Sequence, residues 1–110
     1  MFRDNPAVEL LEGNIVTIPP EGPLHSYMNH TSADYLRQKL KGIALIRESH
    51  PITLSRSEPE PDIAIVVPPQ EGYKERYPRA DDIFCLIEIA NSTLASDLND
   101  KKQIYAAEGI

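Results

Sequence analysis

The sequence has little of what several common kinds of site require. It contains one cysteine, Cys85, and three separated histidines in 110 residues, which excludes a disulfide framework and a zinc site built from several cysteines. No stretch approaches the ~20 apolar residues of a membrane span, and residues 1–6 (MFRDNP) lack the apolar core of a signal sequence. We therefore expect a cytoplasmic protein without a membrane span.

Positive charge is also scarce. The chain has 17 Asp and Glu residues against 11 Lys and Arg residues, a formal net charge of -6, and it has no basic run of the kind that marks a nucleic-acid-binding surface. Bulk charge therefore excludes general electrostatic attraction to DNA or RNA. If the chain acts on phosphodiesters, a bound metal ion must supply the local positive charge.

The apolar pattern predicts one α+β domain over residues 1–110. Turn signals and periodicity give its elements in order. They are a hairpin at 8–18, a helix at 25–41, a strand at 43–49, an extended piece at 52–55, buried strands at 61–67 and 83–90, and a helix that begins near Ser96 or Asp97. On the first helix, the spacing of Met28, Ser32, Leu36 and Leu40 predicts the buried face, and Cys85 is predicted to be a core residue.

Three charged residues stand where the pattern is otherwise apolar. Asp62 begins the run 61–67, and Glu88 is the only charge in 83–90. Lys101 lies on the helical stripe formed by Leu94, Leu98 and Tyr105. A buried carboxylate must be paired, hydrogen-bonded or bound to a metal. Two carboxylates and a lysine from two strands and a helix are the parts of a hydrolytic site that uses Mg²⁺ or Mn²⁺.

A closed salt-bridge network is the alternative interpretation of these charges. Asp97 precedes Lys101 by four residues, which is the spacing of an ion pair within a helix. The residues alone leave the two interpretations at even odds.

Several segments resemble the Uma-two family of bacterial endonucleases, which belongs to the PD-(D/E)XK nuclease-like superfamily. The matching segments run through nearly the whole chain. They are 9–16 (ELLEGNIV), Pro23 with His25, 60–66 (EPDIAIV), 86–94 (LIEIANSTL), 97–101 (DLNDK) and 105–110 (YAAEGI). The resemblance implies a restriction-endonuclease-like core, in which helices flank a central mixed β-sheet preceded by the N-terminal hairpin.

The resemblance also implies roles for individual residues. Asp62 and Glu88 correspond to the family's metal-binding acids, and DNA is the implied substrate. Ala90 stands where the superfamily usually has its lysine, and Lys101 corresponds to a lysine that has migrated to the next helix. His25 matches a family histidine that could contact substrate or assist a metal-bound water, although a capping or surface role is an equal alternative. Glu12 could add a further acidic group, or be a solvated turn residue.

The resemblance further implies a chain that is incomplete at its C-terminus. A missing strand would leave a sheet edge open, and we expect a homodimer as one way to cover it. The leading hypothesis is a metal-dependent endonuclease with Asp62, Glu88, Lys101 and His25 at its site. The alternatives are a non-catalytic nuclease-like module that binds nucleic acid or a partner chain, and a remnant whose charges form a closed ion network.

Overall fold

The computed structural model describes residues 8–17, 22–89 and 95–110, the last range with side chains from residue 101 onward. The strands are β1 (Val8–Leu11), β2 (Asn14–Thr17), β3 (Leu45–Glu48), β4 (Ile63–Val66) and β5 (Ile83–Ile87). The α-helices are α1 (Pro23–Lys39) and α2 (Ala95–Ala107), and short 3₁₀ turns span Gln70–Tyr73 and Ala80–Asp82. This order confirms the predicted α+β architecture with an N-terminal hairpin.

The central strand β4 organises the main sheet. All four of its residues are buried, as the apolar run predicts, and it lies between β3 and β5 in the order β3-β4-β5. Both pairings are antiparallel, and among the described residues the parallel component is an isolated bridge between Thr53 and Arg79. Because Ile63 pairs with Ile87, the start of β4 and the end of β5 meet at one end of the sheet.

Helix α1 packs on the sheet with a face one position away from the predicted one. Asn29 and Ala33 are buried, and Ala33 packs with Ile63 and Ile65. Met28, which the helical spacing placed on the buried face, is exposed. Leu36 and Leu40 do reach this cluster, so the prediction fails at the N-terminal half of the helix. There a polar asparagine occupies the inward position that the apolar pattern assigned to methionine.

The opposite side of the sheet packs on the segment 52–55 and on α2. Ile52, Leu54 and Ile104 form a buried cluster with Ala64 and Val66 of β4. Residues 52–55 form the predicted extended piece, which joins no ladder: its backbone makes an isolated bridge at Thr53 and single hydrogen bonds from Ile52 to Pro59 and from Leu54 to Ser57. Alternation still buries Ile52 and Leu54, because an extended segment directs alternate side chains to one side without needing a ladder.

Strand β5 is less buried than its apolar sequence predicts. It lies at an edge of the described sheet, and Phe84 is 61% exposed. Cys85 is exposed as well, so the expectation of a core cysteine is wrong. The layers that cover the two faces of a sheet reach its edge less completely than its centre, and sequence composition does not distinguish central strands from edge strands. No described contact tests the expected homodimer across this edge.

The N-terminal hairpin turns through two residues with left-handed backbones. Leu11 pairs with Asn14, and the intervening Glu12 and Gly13 have φ values of 49° and 84°. This is the two-residue turn in which both central residues need positive φ. The turn is fixed to the body by the Glu12 N–H, which donates to Ser57 Oγ at 2.9 Å, and by the Gly13 N–H, which donates to the Arg56 carbonyl at 3.0 Å.

We expect Gly13→Ala to lower the free energy of unfolding by about 1 kcal/mol, because a Cβ disfavours the left-handed region. No atom lies within 4 Å of the added Cβ, so the cost is conformational and not steric. Gly72→Ala is the matched control, since its Cβ is equally free and its φ is not left-handed. Urea denaturation measures both, and an equal effect of the two substitutions would contradict the argument.

None of the helices in the described part of the chain has the length and apolar character needed to cross a membrane.

Candidate active site

Asp62 and Glu88 meet where β4 begins and β5 has just ended, and each carboxylate bonds to the backbone beside the other. Asp62 Oδ2 accepts a hydrogen bond from the Ile89 N–H at 2.6 Å. Glu88 Oε1 accepts one from the Asp62 N–H at 3.3 Å. The antiparallel register produces this reciprocal arrangement. Ile63 and Ile87 form the last pair of the ladder, and Asp62, just before Ile63, lies beside Glu88, just after Ile87.

Helix α2 brings Lys101 to the same carboxylates, as its position on the helical stripe predicts. Lys101 Nζ lies 3.5 Å from Glu88 Oε2, and its side chain is only 12% exposed. One turn later, the Tyr105 hydroxyl donates to Glu88 Oε1 at 3.3 Å. The side chain of Asp97, the alternative partner for Lys101, lies outside the described residues, as do Ala90 and the segment 91–94.

A residue that the sequence argument did not single out, Glu9 of β1, is the nearer partner of Lys101. Glu9 Oε1 lies 2.6 Å from Lys101 Nζ, and the Glu9 side chain is 7% exposed. The same oxygen accepts the Glu60 N–H at 2.8 Å. The sequence does contain one indication that Glu9 points inward, because Glu9 shares a strand face with the partly buried Leu11. Because Val8 and Leu10 on the other face are also apolar, alternation alone did not identify the inward face.

His25 and Glu12 have different outcomes. His25, near the start of α1, places Nε2 3.2 Å from Asp62 Oδ1, so the structure brings this histidine to the candidate site. Glu12 lies in the exposed hairpin turn, as expected for a solvated turn residue and not for a further acidic group of the site. The acidic group that the hairpin contributes is therefore Glu9.

The cluster holds more negative than positive charge. Glu9 and Glu88 lie 2.6 and 3.5 Å from the ammonium of Lys101, and the charge of Asp62 also acts on it. Burial raises the pKa of Glu88 to about 7; the charge of Lys101 opposes the rise, whereas those of Asp62 and Glu9 add to it. Burial lowers the pKa of Lys101, but Glu88, Glu9 and Asp62 outweigh it, so that this pKa is raised overall. Lys101 is consequently an ammonium at neutral pH.

Tyr105 supports the same carboxylate. Burial, with further contributions from Glu88 and Glu9, raises its pKa. Its hydroxyl therefore remains protonated and available to donate to Glu88.

The donor set suits a hard divalent cation. Asp62 and Glu88 offer carboxylate oxygens, which Mg²⁺ and Mn²⁺ prefer, and the unbalanced negative charge favours a cation. Within residues 8–17, 22–89 and 95–110, no three His, Cys, Asp or Glu side chains converge as a ligand set. An ion held by this pair would complete its coordination with water and substrate, as Mg²⁺ commonly does.

Comparison with known proteins gives one family and one fold. The family model Uma2, described as "Putative restriction endonuclease", matches residues 2–110. A solved structure described as "a putative nuclease belonging to DUF820 from Anabaena variabilis ATCC 29413" is similar, with a TM-score of 0.62 and 23% sequence identity. The similarity covers 88% of this chain and 61% of that one, so the chain spans about three fifths of that structure's length. At this identity the likeness establishes the fold alone.

No curated protein matches the chain. The family model, in contrast, covers almost every residue, including the hairpin, the strands that adjoin Asp62 and Glu88, and the helix that carries Lys101. The chain therefore belongs to the Uma2 family of restriction-endonuclease-like proteins.

Proposed function

We propose that this chain is a metal-dependent endonuclease that hydrolyses phosphodiester bonds of DNA in the cytoplasm. The observation that carries the proposal is the convergence of Asp62, Glu88 and Lys101, from the start of β4, the end of β5 and helix α2. Family membership supports nuclease chemistry. The buried, unbalanced negative charge supports a divalent cation over direct binding of an anionic substrate.

Asp62 and Glu88 are the proposed ligands of Mg²⁺ or Mn²⁺. When bound, such an ion supplies Lewis acidity and neutralises charge on the scissile phosphate. Tyr105 and the backbone N–H groups of Asp62 and Ile89 hold the two carboxylates in place. His25, at 3.2 Å from Asp62 Oδ1, is proposed to orient Asp62, since groups that hold metal ligands from outside commonly set their geometry.

Lys101 is the proposed partner of the attacking water. Its raised pKa means that it acts as a hydrogen-bond donor and positive charge and not as a base. A fixed ammonium can orient the water and stabilise charge that develops on the phosphate oxygens.

A closed ion network is the second candidate, and a specific observation favours it. Each oxygen of Asp62 and Glu88 already has a protein partner within 3.5 Å: His25, the N–H of Ile89, the N–H of Asp62 with Tyr105, and Lys101. Such a network can persist in a protein that binds no metal. Under this interpretation, manganese changes neither the melting temperature nor any activity.

The test is a manganese titration by calorimetry of the wild type and Glu88→Ala, followed by incubation of each with supercoiled plasmid DNA. We expect the wild type to bind manganese and nick the plasmid, and Glu88→Ala to do neither. Circular dichroism and a melting curve first establish that Glu88→Ala folds, and Glu75→Ala in the exposed loop is the matched control. A folded wild type that binds no manganese would overturn the proposal in favour of the closed network.

A further inference from the structure

The Glu9–Lys101 ion pair joins the N-terminal hairpin to the helix that carries the catalytic lysine. Its Nζ–Oε1 distance of 2.6 Å is shorter than the 3.5 Å from Lys101 to Glu88. Both side chains are nearly buried, so water screens the pair weakly. The ammonium is thus held between two carboxylates and lies closer to Glu9 than to Glu88.

Glu9 is itself fixed from two directions. Its Oε1 accepts the N–H of Glu60, two residues before Asp62. Its strand is joined to the same segment by reciprocal backbone hydrogen bonds between Leu10 and Glu58, at 3.4 and 2.7 Å. Glu9 therefore cannot follow a moving lysine, and its position is tied to the segment that leads into the metal-ligand candidate Asp62.

A lysine side chain needs such a restraint if it is to act at one place. Its stem has four carbons and many rotamers, and α2 alone fixes only its Cα. Glu88 would be a poor restraint on its own, because it is also the proposed ligand of the metal. A second carboxylate, outside the metal's ligand set, can hold the ammonium while Glu88 binds the ion.

Glu9 fits this role better than that of a third metal ligand. In the described part of the chain, it does not converge with Asp62 and Glu88 into a three-residue ligand set. Its Oε1 lies 2.6 Å from the Lys101 ammonium, closer than the 3.5 Å from that ammonium to Glu88 Oε2.

We propose that Glu9 is a positioning residue that holds the Lys101 ammonium beside the scissile phosphate. The inference rests on the proposed nuclease function and adds the N-terminal hairpin to its machinery. It makes the hairpin a part of the site although no residue of the hairpin touches the reacting atoms. Its measurable consequence is that Glu9 acts on the reaction only through Lys101.

The first experiment is a double-mutant cycle on single-turnover plasmid nicking at saturating manganese. Glu9→Gln keeps the size of the side chain and an oxygen for the Glu60 N–H. We expect it to slow nicking about 10- to 100-fold, with manganese affinity within about twofold of the wild type, and to have no further effect in a Lys101→Met background. Glu12→Gln, three residues away in the exposed turn, removes the same charge and should leave the rate unchanged.

A second readout does not depend on activity. The side-chain ammonium of Lys101, observed by ¹⁵N-correlated NMR, should give a protected signal in the wild type and in Glu12→Gln, and should lose it in Glu9→Gln. An unchanged signal, or equal rate losses from Glu9→Gln with and without Lys101, would overturn the positioning role. Loss of manganese binding in Glu9→Gln would overturn it in favour of a ligand role. If the wild type does not nick DNA, the proposed nuclease fails, and the lysine signal alone then decides whether Glu9 fixes Lys101.

Discussion

Lys101→Met is expected to reduce the single-turnover rate of plasmid nicking by about 10²- to 10³-fold, while manganese still binds. Methionine keeps much of the length and apolar stem of lysine but removes the ammonium that lies 3.5 Å from Glu88 Oε2. A positive group that stabilises developing charge in a buried site typically contributes an effect of this size. Calorimetry with manganese and the nicking assay on the same preparation separate the loss of chemistry from the loss of the ion.

Lys102→Met is the matched control, because it removes the same charge from the next residue of α2, which is exposed. It should nick at the wild-type rate. Removal of one member of a buried ion pair destabilises a protein, so both variants need melting curves, and the assay temperature must lie below both transitions. Equal rates for Lys101→Met and the wild type would exclude a catalytic lysine, and loss of manganese binding would indicate that Lys101 supports the ligands instead.

The convergence of charges at the candidate site could be predicted from sequence where a charge interrupts an apolar pattern. Asp62 and Glu88 border runs that form β4 and β5, and Lys101 lies on the stripe that α2 packs against the sheet. The physical cost of burying an unpaired charge makes such residues conspicuous. The antiparallel register then brings Asp62 and Glu88 together, a contact between residues 26 positions apart that sequence spacing does not specify.

Glu9 could not be predicted in this way because its surroundings in the sequence are ambiguous. Strand β1 has apolar residues on both faces, and the hairpin is docked by contacts to the segment 56–60 that depend on tertiary structure. The same limitation explains Cys85, whose strand is apolar in sequence but lies at an edge of the described sheet. The local sequence pattern thus identified the elements and the unusual charges. The exposure of individual side chains, in contrast, depends on which elements pack against each other in the tertiary structure.

Glu88→Gln is expected to make the metal-free protein more stable than the wild type above pH 7, but not below pH 4.5. The pKa of Glu88 rises from its ordinary value of 4.5 to about 7 in the folded protein. Between these values the folded state binds more protons than the unfolded state, so the wild type loses stability as pH rises. The loss integrates to roughly 3 kcal/mol. Among the described residues, the charges of Lys101, Asp62 and Glu9 act on Glu88, and the charge of Glu88 adds to the rise that burial causes in the pKa of Tyr105.

Urea denaturation at several pH values, with a chelator present, measures the difference between the wild type and Glu88→Gln. Glu75→Gln in the exposed loop should follow the wild type at every pH, because other titrating groups contribute equally to both. A difference that does not change between pH 4.5 and 7 would contradict a raised pKa for Glu88.

Manganese provides the complementary test. An ion that binds ionised Glu88 should restore stability to the wild type above pH 7, by about 2.7 kcal/mol at a hundredfold excess over its Kd. The same ion should leave Glu88→Gln nearly unchanged, so a measurement without DNA distinguishes a metal site from a closed network.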